Sequence, residues 1–306
     1  MPLISVIMPS YNHEEFISKA IESVLNQTFE DIELIIIDDG SKDKSKEKIK
    51  YYKKKDNRIL AIFHNENKGI ARTMNEGIEK ASGKYLSLFS SDDVWVKDKL
   101  KKQLKILQEN KNYVVWSEGL IIDDQGNPTG ELFSQKHGAC KRKKSGNIFE
   151  ELLKGNYICG QSIIFKKENI KNIKFDEKLK YLNDYKFMVD LARRYEFYFI
   201  PEPLAMYRIH GENTINSERE NCFKEDIIIR KYFLQEYANE IQTKTKASIS
   251  FTIGMLNLHF EKKTNAKKWI YNAIKFDPLY SSKKLLLYYA IKNINNIKKI
   301  IKRANI

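Results

Sequence analysis

Apolar and polar positions in the first ninety residues come in alternating blocks. Residues 3–8 are a nearly continuous apolar run closed by Pro9, which suits a strand buried on both faces. Phe16, Ile17, Ala20, Ile21, Val24 and Leu25 then recur at helical spacing, and a second apolar run over 32–37 ends in Asp38-Asp39-Gly40-Ser41. A polar, lysine-rich helix is expected from Ser41 to about Lys55, a strand over 59–63, a helix from Gly69 to about Ala81 and a fourth strand over 85–89. This alternation implies βαβ units with right-handed crossovers, an α/β fold with a mainly parallel sheet flanked by helices. The loops leaving the carboxyl ends of such strands share one edge, where ligands gather.

Beyond Asp93 the alternation loosens. A helix over about 97–109, apolar stretches at 113–116 and 120–122, a turn at 124–128 and a loop over 130–146 are expected. The loop's basic run, Lys141-Arg142-Lys143-Lys144, reads as a solvated face, with a mobile flap that meets an anionic acceptor as the functional alternative. A strand over 162–165, a helix over 184–195 and a last strand over 204–209 complete the α/β part, and helical segments alone follow Glu218. The boundary is placed near residue 215, giving a domain of residues 1–215 and a helical region of residues 216–306. Residues 281–306 hold seven Lys or Arg and no acid, with Leu287, Ile291, Ile294, Ile297 and Ile301 at near-helical spacing. Such a basic amphipathic helix either packs on the preceding helices or lies on anionic lipid, at up to about 1 kcal/mol per basic residue.

The charge narrows the partners. A net charge of +14 favours anions: nucleic acid, acidic headgroups or phosphorylated substrates. The surplus is spread over lysine-rich helices, with no RNA-binding aromatic signature or helix-turn-helix pattern, so no nucleic acid is expected. Cys140, Cys159 and Cys222 are odd in number and widely spaced, which supports neither a disulfide framework nor a zinc site. With no basic leader and no apolar run long enough to span a bilayer, a cytoplasmic protein is expected, with peripheral contact at the inner face of an anionic membrane left open.

The chemistry concentrates at Ser90-Ser91-Asp92-Asp93, where the fourth strand ends. Two adjacent acids there suit a hard divalent cation, Mg²⁺ or Mn²⁺, that keeps places for phosphate oxygens. A capping turn before the next helix is the plainer alternative.

Several further segments join this one in a recognisable order. Ser5-Val-Ile-Met-Pro-Ser-Tyr-Asn12, Ser23-Val-Leu-Asn-Gln-Thr-Phe29, Ile37-Asp-Asp-Gly-Ser41, Asn67-Lys-Gly69, Ser91-Asp-Asp93, Asn183-Asp184 and Tyr207-Arg-Ile-His210 together resemble the family 2 glycosyltransferases. The resemblance covers about the first two-thirds of the chain. It implies a GT-A fold and an inverting transfer of sugar from a nucleotide-diphosphate sugar, usually a UDP-sugar, to a glycan or lipid-linked acceptor in cell-surface polysaccharide synthesis. It further implies that Pro9, Tyr11 and Asn12 lie along the nucleoside, with Tyr11 stacked on the base and Asp39 accepting a hydrogen bond from the uracil ring nitrogen while Asp38 supports the turn. Arg72 would reach the nucleotide or a phosphate, Asp92 and Asp93 the metal and diphosphate, and His210 would complete the coordination of Mn²⁺ or Mg²⁺. Asp184 is the matched general base. Ser90 departs from the acid often found first in the metal motif, and Asn183 from a common Glu. The competing readings are a basic nucleic-acid-binding protein and a GT-A relative that lost turnover through Ser90.

Overall fold

The computed structural model describes residues 1–110, 112–138, 142–211, 213 and 217–285. Cys140, Lys141 and most of the expected basic amphipathic helix lie outside the described residues. The chain divides into two compact units, Met1–Arg219 and a second beginning at Glu220.

The first half of unit one follows the block pattern closely. β1 (Ile4–Ser10), α1 (Ile17–Leu25), β2 (Ile32–Asp38), α2 (Ser45–Lys55), β3 (Ile59–Phe63), α3 (Ile70–Lys80) and β4 (Tyr85–Leu88) alternate as expected. Their strands pair in parallel in the order β3-β2-β1-β4, with Val6 beside Leu34 on one side and Ser87 on the other. Ile4, Val6, Ile7 and Met8 are fully buried, as a central strand covered on both faces requires. The helix expected from Ser41 starts four residues later. Asp43 accepts the N–H groups of Glu14 and Ser45, and the Ser41 hydroxyl accepts that of Asn12, so residues 41–44 serve the neighbouring loop instead of a helical turn.

The second half builds outward from β4 with both antiparallel and parallel pairings. β5 (Val94–Trp95), α4 (Lys99–Glu109), β6 (Val114–Ile122), β7 (Pro128–Leu132), the short helices α5 (Phe133–Lys136) and α6 (Phe149–Leu153), β8 (Ile164–Lys166), α7 (Asn183–Ala192) and β9 (Phe197–Arg208) complete the unit. β8 runs antiparallel between β4 and β6, while β9 is parallel to β6 and carries β5 on its far side. The two apolar stretches expected at 113–116 and 120–122 are one strand, because its polar middle is buried and satisfied. Glu118 accepts hydrogen bonds from the Ser134 hydroxyl and from Lys143. Residues 130–146, expected as loop, hold the end of β7 and α5. Two residues of the basic run are likewise anchored, Lys143 on Glu118 and Arg142 on the carbonyls of Glu151 and Gly155, whereas Lys144 is exposed.

Lys99 is the most unusual core residue here. Its ammonium position is fully buried, 3.9 Å over the Trp95 ring, donating to Ser87 Oγ at 3.1 Å and Gln103 Oε1 at 2.8 Å. Burial pushes its pKa well below the ordinary lysine value. The unfolded chain therefore holds a proton that the folded one lacks, and stability rises with pH up to the ordinary lysine range. We expect unfolding free energy to climb by up to about 1.4 kcal/mol per pH unit as pH rises toward about 8.5, beyond which ionisation of Cys159 in the unfolded chain opposes it, and the climb to vanish in Lys99→Met. Urea titrations of both proteins across that range measure it.

The second unit is helical, with Arg219–Glu236 leading into it, then Thr243–His259 and Lys263–Phe276. The last two approach closely at Gly254, where a Cβ would stand 2.8 Å from Ile270 Cγ1. Among the described residues no helix is long and apolar enough to cross a membrane.

Candidate active site

Three loops at the carboxyl ends of β1, β2 and β4 are stitched together by side chains. Asn12 takes a left-handed conformation (φ 52°), which asparagine tolerates better than most residues. Its N–H donates to Ser41 Oγ and its Oδ1 accepts the N–H of Lys42, tying the β1 loop to the β2 loop. His13 continues the seam. Its N–H donates to Ser45 Oγ, and its ring Nδ1 meets Ser91 Oγ at 2.7 Å, which brings in the β4 loop. Pro9 is half-buried beside Ile37, and Tyr11 is 43% exposed at the mouth of this seam.

The two acids ending β2 are held differently. Asp38 Oδ1 accepts the N–H of Ser41 at 3.0 Å, fixing the turn. Asp39 faces residues 64–69 instead, and its carboxylate receives His64 Nδ1 at 2.7 Å and the N–H groups of Lys68 and Gly69 at 2.8 and 2.9 Å. Gly40 permits this packing. Its φ is +80°, and a Cβ there would sit 2.6 Å from the backbone carbon of Glu66. Arg72 is exposed in the first turn of α3, just past Gly69.

The β4 acids separate. Ligand atoms of His13, Asp92 and His210 lie within 4.8 Å of one another, with His210 Nε2 3.2 Å from Asp92 Oδ2. Burial works to raise the Asp92 carboxyl, but the His210 hydrogen bond and the His13 and His210 charges outweigh it and hold the group below the usual carboxylate range. Asp93 stands outside this trio. Its Oδ1 accepts the backbone N–H of Arg208 at 2.7 Å, and burial, followed by the adjacent Asp92 charge, pushes its carboxyl well up. Ser90, at the motif's first position, accepts a hydrogen bond from Gln161 Nε2. Arg208 locks the loop from behind, its Nε donating to the Asp92 carbonyl and its Nη1 to the carbonyls of Asp123 and Asp124.

An ionised carboxylate beside two imidazoles is a donor set that fits a divalent cation. Mixed nitrogen and oxygen donors suit Mn²⁺ better than Mg²⁺, which prefers oxygen alone.

Asp184 is exposed in the first turn of α7, its Oδ1 accepting the N–H of Tyr185 at 2.7 Å. It shares a neighbour with the β4 acids. Burial raises the Tyr207 hydroxyl far above its ordinary value, and the charges of Asp93, Asp92, Cys159 and Asp184 add to the effect.

His13, His64 and Arg208 were not singled out by the sequence. His64 directly follows β3 and His13 lies three residues past β1, which was the available signal, and Arg208 was visible only as part of Tyr207-Arg-Ile-His210.

The sequence profile described as Glycosyl transferase family 2 matches residues 5–174, more than half of the chain. The chain belongs to this family. A glycosyltransferase of Rickettsia typhi is 30% identical over 273 residues, spanning 88% of this chain and 83% of that protein. The putative teichuronic acid biosynthesis glycosyltransferase TuaG of Bacillus subtilis is 30% identical over 219 residues, 71% of this chain and 83% of TuaG. Among solved structures, S. aureus TarS 1–349 in complex with UDP-GlcNAc superposes with a TM-score of 0.65 at 20% identity, covering 97% of this chain and 89% of that one. The mannosyltransferase PcManGT of Pyrobaculum calidifontis, in complex with GDP-Man and Mn²⁺, gives 0.63 at 14%, covering 95% and 80%. At these identities the structural likeness speaks for the fold alone. This family 2 member is a glycosyltransferase of GT-A fold.

Proposed function

We propose that the enzyme transfers a sugar, with inversion, from a UDP-sugar to a glycan or lipid-linked acceptor of a cell-surface polysaccharide, working at the cytoplasmic side of the membrane. The observation that carries this reading is the convergence of His13, Asp92 and His210 beside the stitched β1 and β2 loops. In it, Pro9, Tyr11 and Asn12 line the nucleoside, Tyr11 stacks on the base and Asp39 accepts from a ring N–H. Arg72 approaches the phosphates. Asp184 takes the proton of the acceptor hydroxyl as its oxygen bonds to the anomeric carbon and the bond from that carbon to the diphosphate oxygen breaks. Mn²⁺ held by His13, Asp92 and His210 would supply Lewis-acid stabilisation of the departing diphosphate. Residues 1–215 form the catalytic domain in this reading, and residues 216–306 a helical region that meets the acceptor's membrane. The teichuronic acid biosynthesis for which TuaG is named favours a polymer-building transferase over other members of the class.

UDP with Mn²⁺ at about a hundred times its dissociation constant should stabilise the folded state by about 2.7 kcal/mol, which for a chain of this size raises the melting temperature by roughly 4 °C. UDP with EDTA should give a much smaller shift. Absence of any shift with UDP and GDP, beside salt-sensitive RNA binding, would return the nucleic-acid reading.

A further inference from the structure

His64 directly follows β3 and is 4% exposed, yet none of the chemistry above uses it. Its backbone N–H donates to the Asp38 carbonyl at 2.8 Å. Its ring is gripped at both nitrogens, Nδ1 by Asp39 Oδ1 at 2.7 Å and Nε2 by Glu76 Oε2, from α3, at 2.9 Å. The ring cannot turn without breaking one of these contacts. Asp39 is therefore aimed by a rigid neighbour, not by a flexible one.

A carboxylate offers about four acceptor positions. Asp39 Oδ1 spends two on His64 and the Lys68 N–H, and Oδ2 one on the Gly69 N–H, which leaves a single position on Oδ2. We propose that His64 is a positioning residue for base selection: by fixing the Asp39 carboxylate, it directs that remaining acceptor at the ring nitrogen of the donor's base. The inference rests on the reading of Asp39 as the base contact. A fixed acceptor welcomes uracil N3–H or guanine N1–H. Cytosine and adenine present an acceptor nitrogen at the equivalent edge, so two lone-pair groups would face each other unpaired, and sites built on a hydrogen bond reject such analogues strongly. A carboxylate free to swing would lose that discrimination, because it can turn away from the wrong base.

The test is titration of the full chain with UDP and with CDP in the presence of Mn²⁺. The wild-type protein should bind UDP at least about tenfold more tightly than CDP, the size of one unpaired buried polar group. His64→Ala should bring that ratio below about threefold, by weakening UDP and relieving the penalty on CDP. His64→Asn, whose side-chain nitrogen falls where Nδ1 was, should restore the ratio, and His64→Gln, whose nitrogen falls where Nε2 was, should not; this pair carries the test if the alanine variant fails to fold. Equal weakening of both nucleotides in His64→Ala, or equal ratios in the Asn and Gln variants, overturns the proposal. Asp39→Asn separates the two layers. If it keeps the wild-type preference, the base contact itself is wrong and the role of His64 falls with it; if it loses the preference while His64→Ala keeps it, only His64 is misassigned.

Discussion

Asp184→Asn should slow sugar transfer by a hundredfold to ten-thousandfold, the usual range for losing a general base, while the UDP-induced rise in melting temperature stays as in the wild type. The substitution is close to isosteric, and an asparagine Oδ1 keeps the bond from the Tyr185 N–H that the carboxylate now accepts. What it removes is the ability to take a proton. Asn183 before Asp184 leaves one carboxylate at the start of α7, and Asn183 itself is buried with its amide turned to the Leu179 and Lys180 carbonyls. No second acid in that turn stands by to substitute. Rates measured at saturating donor and acceptor, beside the thermal shift with UDP, decide the matter: turnover within tenfold of wild type takes Asp184 out of the mechanism. A loss of both turnover and UDP stabilisation points instead to a role in donor binding.

How far the site could be read from the chain depends on where its contacts come from. β1 to β4 announced themselves because each strand is buried by its immediate neighbours, so that apolar runs of the right length suffice. The acids at Asp39 and Asp92 stood out for the same reason, being polar residues placed where apolar runs stop. β6 did not read as one strand, since the burial of Ser117 and Glu118 is decided by Ser162, Ser134 and Lys143 far along the chain. The metal trio hides similarly. Asp92 and His210 are 118 residues apart and His13 lies 78 residues before Ser91, so no local spacing reveals that they meet. Asp93 shows the limit of a local view: adjacent acids suggest a shared task, yet in the turn between β4 and β5 Asp92 meets His210 while Asp93 accepts the Arg208 N–H. Only the pairing of β5 with β9 brings the Arg208 N–H to where Asp93 can accept it.

That divergence gives the sharpest expected contrast between two neighbouring substitutions. Asp92→Asn removes the only carboxylate of the His13, Asp92 and His210 group, and should cut Mn²⁺-dependent transfer by about a hundredfold or more, since Lewis-acid stabilisation is worth several kcal/mol and each 1.4 kcal/mol is tenfold. His13→Ala should act in the same direction. Asp93→Asn should cost less than about tenfold, because a group whose carboxyl is already pushed well up by burial and by Asp92 is nearly matched by a neutral amide, whose oxygen still accepts the Arg208 N–H. Transfer rates across a Mn²⁺ titration, with EDTA-treated enzyme as the zero point, separate affinity for the cation from the rate once it is bound. His13→Ala and Asp92→Asn should need more Mn²⁺ to reach half of their maximal rate, whereas Asp93→Asn should follow the wild-type curve. Equal rates with EDTA and with Mn²⁺ would remove the cation from the reaction, and a penalty for Asp93→Asn as large as that for Asp92→Asn would mean that both carboxylates turn toward the diphosphate when the donor binds.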